Sequence, residues 1–201
     1  MGKLIFYESN HTYEVDGVVV PSVTEICRFL HYDASYSDKE SRDRAARRGT
    51  AIHEETALID YGEEIEVDNE IIGFIQAWRA FKRDYHVNVI EIERVVFGNV
   101  YVDDKPNPLC GTLDRTVEIE GKKYILDIKT GSKINKLALQ AQLSAYAYVY
   151  EDQTVRLLGV HLRKDGTYTV YSPVKKPRLV ENLYELHLEE KESKLRWRQL
   201  V

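Results

Sequence analysis

The stretch GTLDRTVEIEGKKYILDIKTG, residues 111–131, constrains this chain more than any other segment. Its halves alternate apolar and polar residues on either side of Glu120-Gly121, the pattern of two strands joined by a tight turn. In the second half, alternation puts Ile125, Asp127 and Lys129 on one face and Leu126 and Ile128 on the other. With Glu120-Gly121 as a two-residue loop, Ile119 pairs with Lys122 and Asp114 stands directly opposite Asp127. A four-residue loop keeps this register, whereas a three-residue loop slips it by one.

Two carboxylates facing each other across a hairpin repel and shift each other's pKa. A bound cation resolves the conflict, and carboxylate oxygens suit Mg²⁺ or Mn²⁺. The backbone carbonyl of Ile128 offers a further oxygen. Lys129, one strand step beyond Asp127, stands where an attacking water and a scissile phosphate would meet. There its ammonium would hold the nucleophile and stabilise charge on a phosphorane-like transition state. Taken singly, each residue has a blander reading: a strand Asp is usually a surface or turn residue, and a Lys two positions on is its solvated partner. The combination carries the argument.

Around this hairpin the chain reads as a mixture of helices and strands. Short strands are expected at LIFYE, HTYEV and GVVVP, around Asp16-Gly17. Ser22-x-x-Glu25 caps a helix running to about Leu30, and Ser37-x-x-Glu40 opens a longer one to about Asp60, stopped at Tyr61-Gly62. Ile71, Phe74, Ile75, Trp78, Phe81 and Tyr85 recur at helical spacing. Residues 87–97 are β-rich, the two prolines of VDDKPNP mark a loop, and strands follow at 109–119 and 122–130. A helix at about 135–150, strands at 154–162 and 167–171, and a helix opened by Pro177 complete the chain. The order from 71 to 162 predicts an α/β core with a small mixed sheet. We expect one domain over 1–201: an extension at 1–36, a motif-bearing core at 37–162, and a C-terminal strand and helix at 163–201.

The 201 residues are 43% hydrophobic, enough for one packed core without staples. Cys27 and Cys110 form no CxxC pair, and two cysteines cannot hold a four-cysteine iron–sulfur cluster within one chain. No GxxxxGK[ST] occurs, so no ATP-driven motor is expected. There is neither a leader-like start nor a membrane-length apolar run, and a cytoplasmic protein without membrane contact is expected. The net charge of −5 argues weakly against nucleic acid, but its distribution is patchy. Residues 54–70 carry eight acidic groups and no Lys or Arg, whereas RDRAARR just before them is basic, as is the cluster from Lys122 to Lys136. An acidic protein with such patches can still present one positive face to phosphates.

GTLD on one strand and DIKTG on the next resemble the PD-(D/E)xK nuclease superfamily. Asp127 stands where many members have Glu; Asp there is usual in the RecB-like branch. RRGTAIHEE, residues 47–55, resembles that branch's helical G-x-x-x-H-E motif, and QLSAY, residues 142–146, its Q-x-x-x-Y motif. Glu93 lies on the preceding strand, where the branch often carries a Glu, although Glu91 leaves that register open. PSVTEI, residues 21–26, resembles the start of phage RecB-like exonucleases and of the mitochondrial genome-maintenance exonuclease. The resemblance covers roughly residues 20–150 and implies a restriction-endonuclease-like core, αβββαβ, with N-terminal strands and helices.

It also implies a function: a metal-dependent DNA nuclease, by preference an exonuclease acting in recombination, repair or phage replication. Lys129, Asp114 and Asp127 would be catalytic. His53, Asp114, Asp127 and the Ile128 carbonyl would hold one or two Mg²⁺ or Mn²⁺ ions. Gln142, Tyr146, Glu93, Arg44, Arg48 and Lys133 would support the site or touch DNA. A bacterial or phage-infected cell fits this reading, as does a recombination partner such as a single-strand annealing protein; the oligomeric state stays open. From the residues alone, without the resemblance, His53 reads rather as a hydrogen-bonded core histidine, and Tyr146 has the alternative of core packing. The whole chain could be a DNA-binding module that kept the fold without catalysis, or a structure- or sequence-specific endonuclease. His11, His31, His86, His161 and His187 lack an acidic-pair context and are assigned no role.

Overall fold

The computed structural model describes residues 3–7, 12–30, 39–64 and 66–198. A five-stranded sheet of order β4-β5-β6-β7-β8 forms the centre: β4 (Asn88–Val102), β5 (Lys105–Ile119), β6 (Lys122–Lys129), β7 (Arg156–Leu162) and β8 (Tyr168–Tyr171). Only β6 and β7 run parallel; the other neighbours are antiparallel. The parallel pair needs a crossover, which α4 (Lys136–Val149) supplies. Asn135 caps α4, its side chain accepting the N–H of Ala138 at 3.0 Å.

Helices cover both faces, so β6 and β7 sit in the middle layer and read as apolar runs. On one face α4, α5 (Pro177–Arg198) and α1 (Val23–Cys27) pack through Leu139, Leu143, Tyr146, Val180 and Tyr184 against Ile125 and Leu157. On the other, α3 (Ile72–Asp84) places Phe74, Ile75, Trp78 and Phe81 against Val117, Leu126, Ile128 and Val160. Ile52 of α2 (Lys39–Tyr61) joins that second core. The expected α/β core, a small mixed sheet flanked by helices, is what the structure shows. The N-terminal strands β1 (Leu4–Tyr7), β2 (Thr12–Val15) and β3 (Val18–Val20) form a separate antiparallel sheet. It docks on β5 through Tyr13, whose hydroxyl shares a 2.8 Å hydrogen bond with Thr112.

The central hairpin has the two-residue loop. Glu120 and Gly121 both have positive φ, 50° and 69°, and Ile119 pairs with Lys122. The ladder holds to Arg115–Leu126. At Asp114 the side chain intervenes, its Oδ2 accepting the N–H of Ile128 at 2.7 Å.

Two sequence expectations change. VDDKPNP is not a loop: β4 and β5 run through it and turn at Asp103-Asp104, where φ is 49° and 60°. Pro106 and Pro108 are tolerated inside β5 because that stretch extends beyond β6 and forms an edge. They share strand parity with Cys110, whose N–H points away from β4 to donate to Pro21 O at 3.1 Å. The first helix is also shorter than expected. Ser22 caps it, accepting from Glu25 N at 3.0 Å, but after Cys27 it tightens to a 3₁₀ turn over Arg28–Leu30. Ser37, His11 and His31 lie outside the described residues.

Candidate active site

Four elements converge where β5 leaves β6. β5 supplies Asp114, β6 supplies Asp127 and Lys129, β4 supplies Glu93, and α2 supplies His53. Glu93 falls opposite Asp114, but the ladder skips it, pairing Ile92 with Arg115 and Arg94 with Leu113. Its φ of +49° places it in the left-handed region, a strained conformation of the kind that clusters at functional sites. Glu91, the other glutamate on this strand, pairs instead with Arg94 and Tyr150.

His53, Glu93 and Asp114 each offer a ligand atom, and these atoms lie within 4.8 Å of one another. His53 Nδ1 is 3.5 Å from Asp114 Oδ1. One imidazole nitrogen and two carboxylates suit Mn²⁺ or Mg²⁺. Asp127 is not in that trio: its Oδ2 is 2.8 Å from the Lys129 ammonium, which competes for it. Asp127 Oδ2 is nevertheless buried and makes no well-directed hydrogen bond, so it keeps capacity for a cation. Ile128 donates its N–H towards β5, and its carbonyl lies on the same edge of β6, where the β5 ladder has ended. The donor set therefore fits a divalent metal.

The electrostatics are those of a crowded anionic cluster. Asp114 raises His53 to about 9, outweighing the burial that opposes a charge. Burial pushes Asp114 upward, but the His53 and Lys129 charges and the Ile128 N–H together hold it below the usual carboxylate range. Asp127 goes the other way, pushed up by burial and then by Asp114 against the pull of Lys129. Burial works against the Lys129 charge, yet Asp127 and Asp114 raise its pKa above the ordinary lysine value. Lys129 is thus an ammonium, unsuited to act as a base. Its Nζ also donates to Gln142 Oε1 at 2.9 Å. Tyr146, one turn further along α4, is buried beside Gln142, and burial raises its hydroxyl far above its usual range.

Gly49, one turn before His53, brings α2 close to the end of β6: a Cβ there would sit 3.6 Å from Thr130 Oγ1. Arg44, Arg47 and Arg48 line a cavity of about 190 Å³ with Ala51, Asp68, Glu70 and Ile71. Arg44 itself pairs with Glu40 on the exposed face of α2 at 3.2 Å. Arg48 lies over the Phe74 ring. Lys133 is exposed in the turn leading to α4.

Sequence reasoning missed the polar layer behind the cluster. Arg115, fully buried, bonds Asp60 and Glu93. One signal pointed to it: Arg115 shares strand parity with Val117 and Ile119, which face the α3 core. Asp60 was hidden within an acidic run. His161 was assigned no role, but its Nε2 is 2.6 Å from Gly131 O and ties down the loop after Lys129.

The PD-(D/E)XK nuclease superfamily model matches residues 33–201. The chain belongs to the PD-(D/E)XK nuclease superfamily. Membership explains the sheet and the motif-bearing hairpin together, and supports a metal-dependent nuclease acting on nucleic acid. This PD-(D/E)XK chain is also similar to the crystal structure of SSO0001, at 16% identity and a TM-score of 0.49, over 83% of this chain and 75% of that one. A likeness at that level adds nothing to the assignment. No curated protein matches the chain significantly. No helix among the described residues is long and apolar enough to cross a membrane.

Proposed function

We propose that this protein is a Mg²⁺- or Mn²⁺-dependent deoxyribonuclease of the RecB-like branch that degrades DNA from its ends. The observation that carries the reading is the convergence of His53, Glu93 and Asp114 beside the Asp127–Lys129–Gln142 chain. Together they put a metal-sized donor set next to a fixed ammonium. Glu93 moves from a supporting role to a metal ligand, with His53, Asp114, Asp127 and the Ile128 carbonyl.

A divalent ion bound there supplies Lewis-acid stabilisation of a phosphodiester and lowers the pKa of water. Lys129, held from two sides, orients the attacking water and donates to the oxygen on which negative charge develops. Gln142 fixes the Lys129 ammonium, and Tyr146 packs behind Gln142. Arg44, Arg47 and Arg48 border the approach along α2 and suit backbone phosphates, with Lys133 on the β6–α4 turn. Action at ends rests on the likeness of PSVTEI to the start of phage RecB-like exonucleases, beside RRGTAIHEE and QLSAY, which resemble motifs of the RecB-like branch; that likeness also favours a role in recombination or repair.

The test compares end-labelled linear DNA with closed circular plasmid in Mg²⁺ and in Mn²⁺. Progressive shortening of the linear DNA with the plasmid intact is expected. Cutting of the closed circle would make the protein an endonuclease.

A further inference from the structure

A fully buried charged group lies directly behind the carboxylates. Arg115 follows Asp114 on β5, and its side chain is fully shielded from solvent. Its Nε donates to Asp60 Oδ2 at 2.7 Å. Its Nη1 donates to Glu93 Oε1 at 3.1 Å and to the Asp114 carbonyl at 2.6 Å. Its Nη2 reaches Thr56 Oγ1 at 3.3 Å, and that hydroxyl in turn donates to the His53 carbonyl at 2.9 Å. One guanidinium therefore touches two members of the His53–Glu93–Asp114 trio and reaches the third through one hydroxyl.

The counter-charge is equally deep. The Asp60 side chain is fully buried, and its Oδ1 accepts from Trp78 Nε1 at 3.2 Å and Lys82 Nζ at 2.5 Å. The Trp78 ring also lies under the Arg115 guanidinium. Burying such a pair is costly, and an apolar side chain like that of Val117, two positions on and on the same core face, would fill the space without that cost. The pair has a geometric use instead. Glu93 is a long side chain, 45% exposed, on a residue that breaks its ladder with a left-handed φ. Left free it would lose rotamer entropy on binding an ion. A planar fork can hold Asp60, Glu93 and the Asp114 carbonyl at once, which a lysine ammonium in the same place cannot do with the same geometry.

We propose that Arg115, braced by Asp60, is a positioning residue for the cation site: it fixes the Glu93 carboxylate and the Asp114 backbone relative to His53. The inference rests on reading that trio as the cation-binding group.

The test is Mn²⁺ titration of the full chain without DNA, by calorimetry, with thermal melts alongside. Wild type is compared with Arg115→Lys, Glu93→Ala and their combination. Arg115→Lys weakens Mn²⁺ binding by about tenfold or more, and the double variant loses less than the sum of the two single losses, because part of what Arg115 does is done through Glu93. Unchanged affinity in Arg115→Lys, or losses that simply add, would overturn the proposal whatever the melting temperatures do. Should Arg115→Lys fail to fold, the paired change Asp60→Asn with Arg115→Met removes both buried charges at similar volume. It carries the same expectation, and an unchanged affinity there overturns the proposal equally. A wild-type protein that binds no Mn²⁺ would contradict the cation reading itself, an outcome separate from failure of Arg115 alone.

Discussion

The Lys129 ammonium donates to Gln142 Oε1 at 2.9 Å, bridging the end of β6 to α4. Its other contact is Asp127, a group whose own ionisation is opposed by burial and by Asp114. Gln142 is the neutral half of the clamp and keeps Nζ pointed when Asp127 turns to an ion. Gln142→Ala should therefore lower kcat by on the order of tenfold and leave Mn²⁺ affinity alone, since Gln142 is outside the His53–Glu93–Asp114 trio. Single-turnover cleavage beside a metal titration checks this. A full wild-type rate would show that Asp127 alone positions Lys129.

Gly73 near the start of α3 makes a second, purely structural prediction. A Cβ there would stand 1.8 Å from Lys164 O and 2.5 Å from its carbonyl carbon, backbone atoms that no side-chain rotation can move. Helix propensity on its own would make Gly73→Ala stabilising by about 1 kcal/mol. The contact reverses the sign: α3 must lift off the turn between β7 and β8, costing about 1–3 kcal/mol. A melting temperature several degrees lower, with metal binding retained, is expected. A rise in melting temperature would mean the turn yields freely.

His187 on α5 is buried against α1, with Nδ1 3.4 Å from Arg28 Nη1 and 3.7 Å from Glu25, and a buried Nε2 that makes no hydrogen bond. Burial lowers its pKa; Glu25 and Glu190 resist that shift, and Lys191 and Arg28 add to it. The folded state thus takes up this proton less readily than the unfolded chain. Stability is unaffected by His187 above the unfolded value of about 6.5, and declines as pH falls through it. Thermal melts at pH 7.5 and 5.5 should show a larger loss for wild type than for His187→Gln. Equal losses would remove His187 from the account.

The hairpin was legible because strand alternation and a tight turn fix register by geometry alone, and Asp114, Asp127 and Lys129 followed from it. The α3 stripe from Ile71 to Phe81 was legible for the same kind of reason. The β4–β5 hairpin was not. Prolines normally signal a break, and their tolerance at 106 and 108 depends on β5 outrunning β6, a tertiary fact. The site divides along the same line. Residues in periodic or motif-bearing segments could be found, and Glu93 narrowed to a choice of two. Asp60, Thr56 and Arg115 meet only after α2 has docked on β5, and the pairing of Asp60 with Arg115 across 55 residues leaves no local pattern.

Metal-dependent cleavage of DNA by wild type and by Lys129→Ala, both shown to be folded by circular dichroism, tests the active-site cluster most directly. Wild type should cleave in Mg²⁺ or Mn²⁺ and stop in EDTA. Lys129→Ala should lose roughly 10²–10³-fold in rate while still binding Mn²⁺. A folded wild type that binds the ion and cleaves nothing, or a Lys129→Ala variant that cleaves at the wild-type rate, would contradict the assignment of this cluster as the active site.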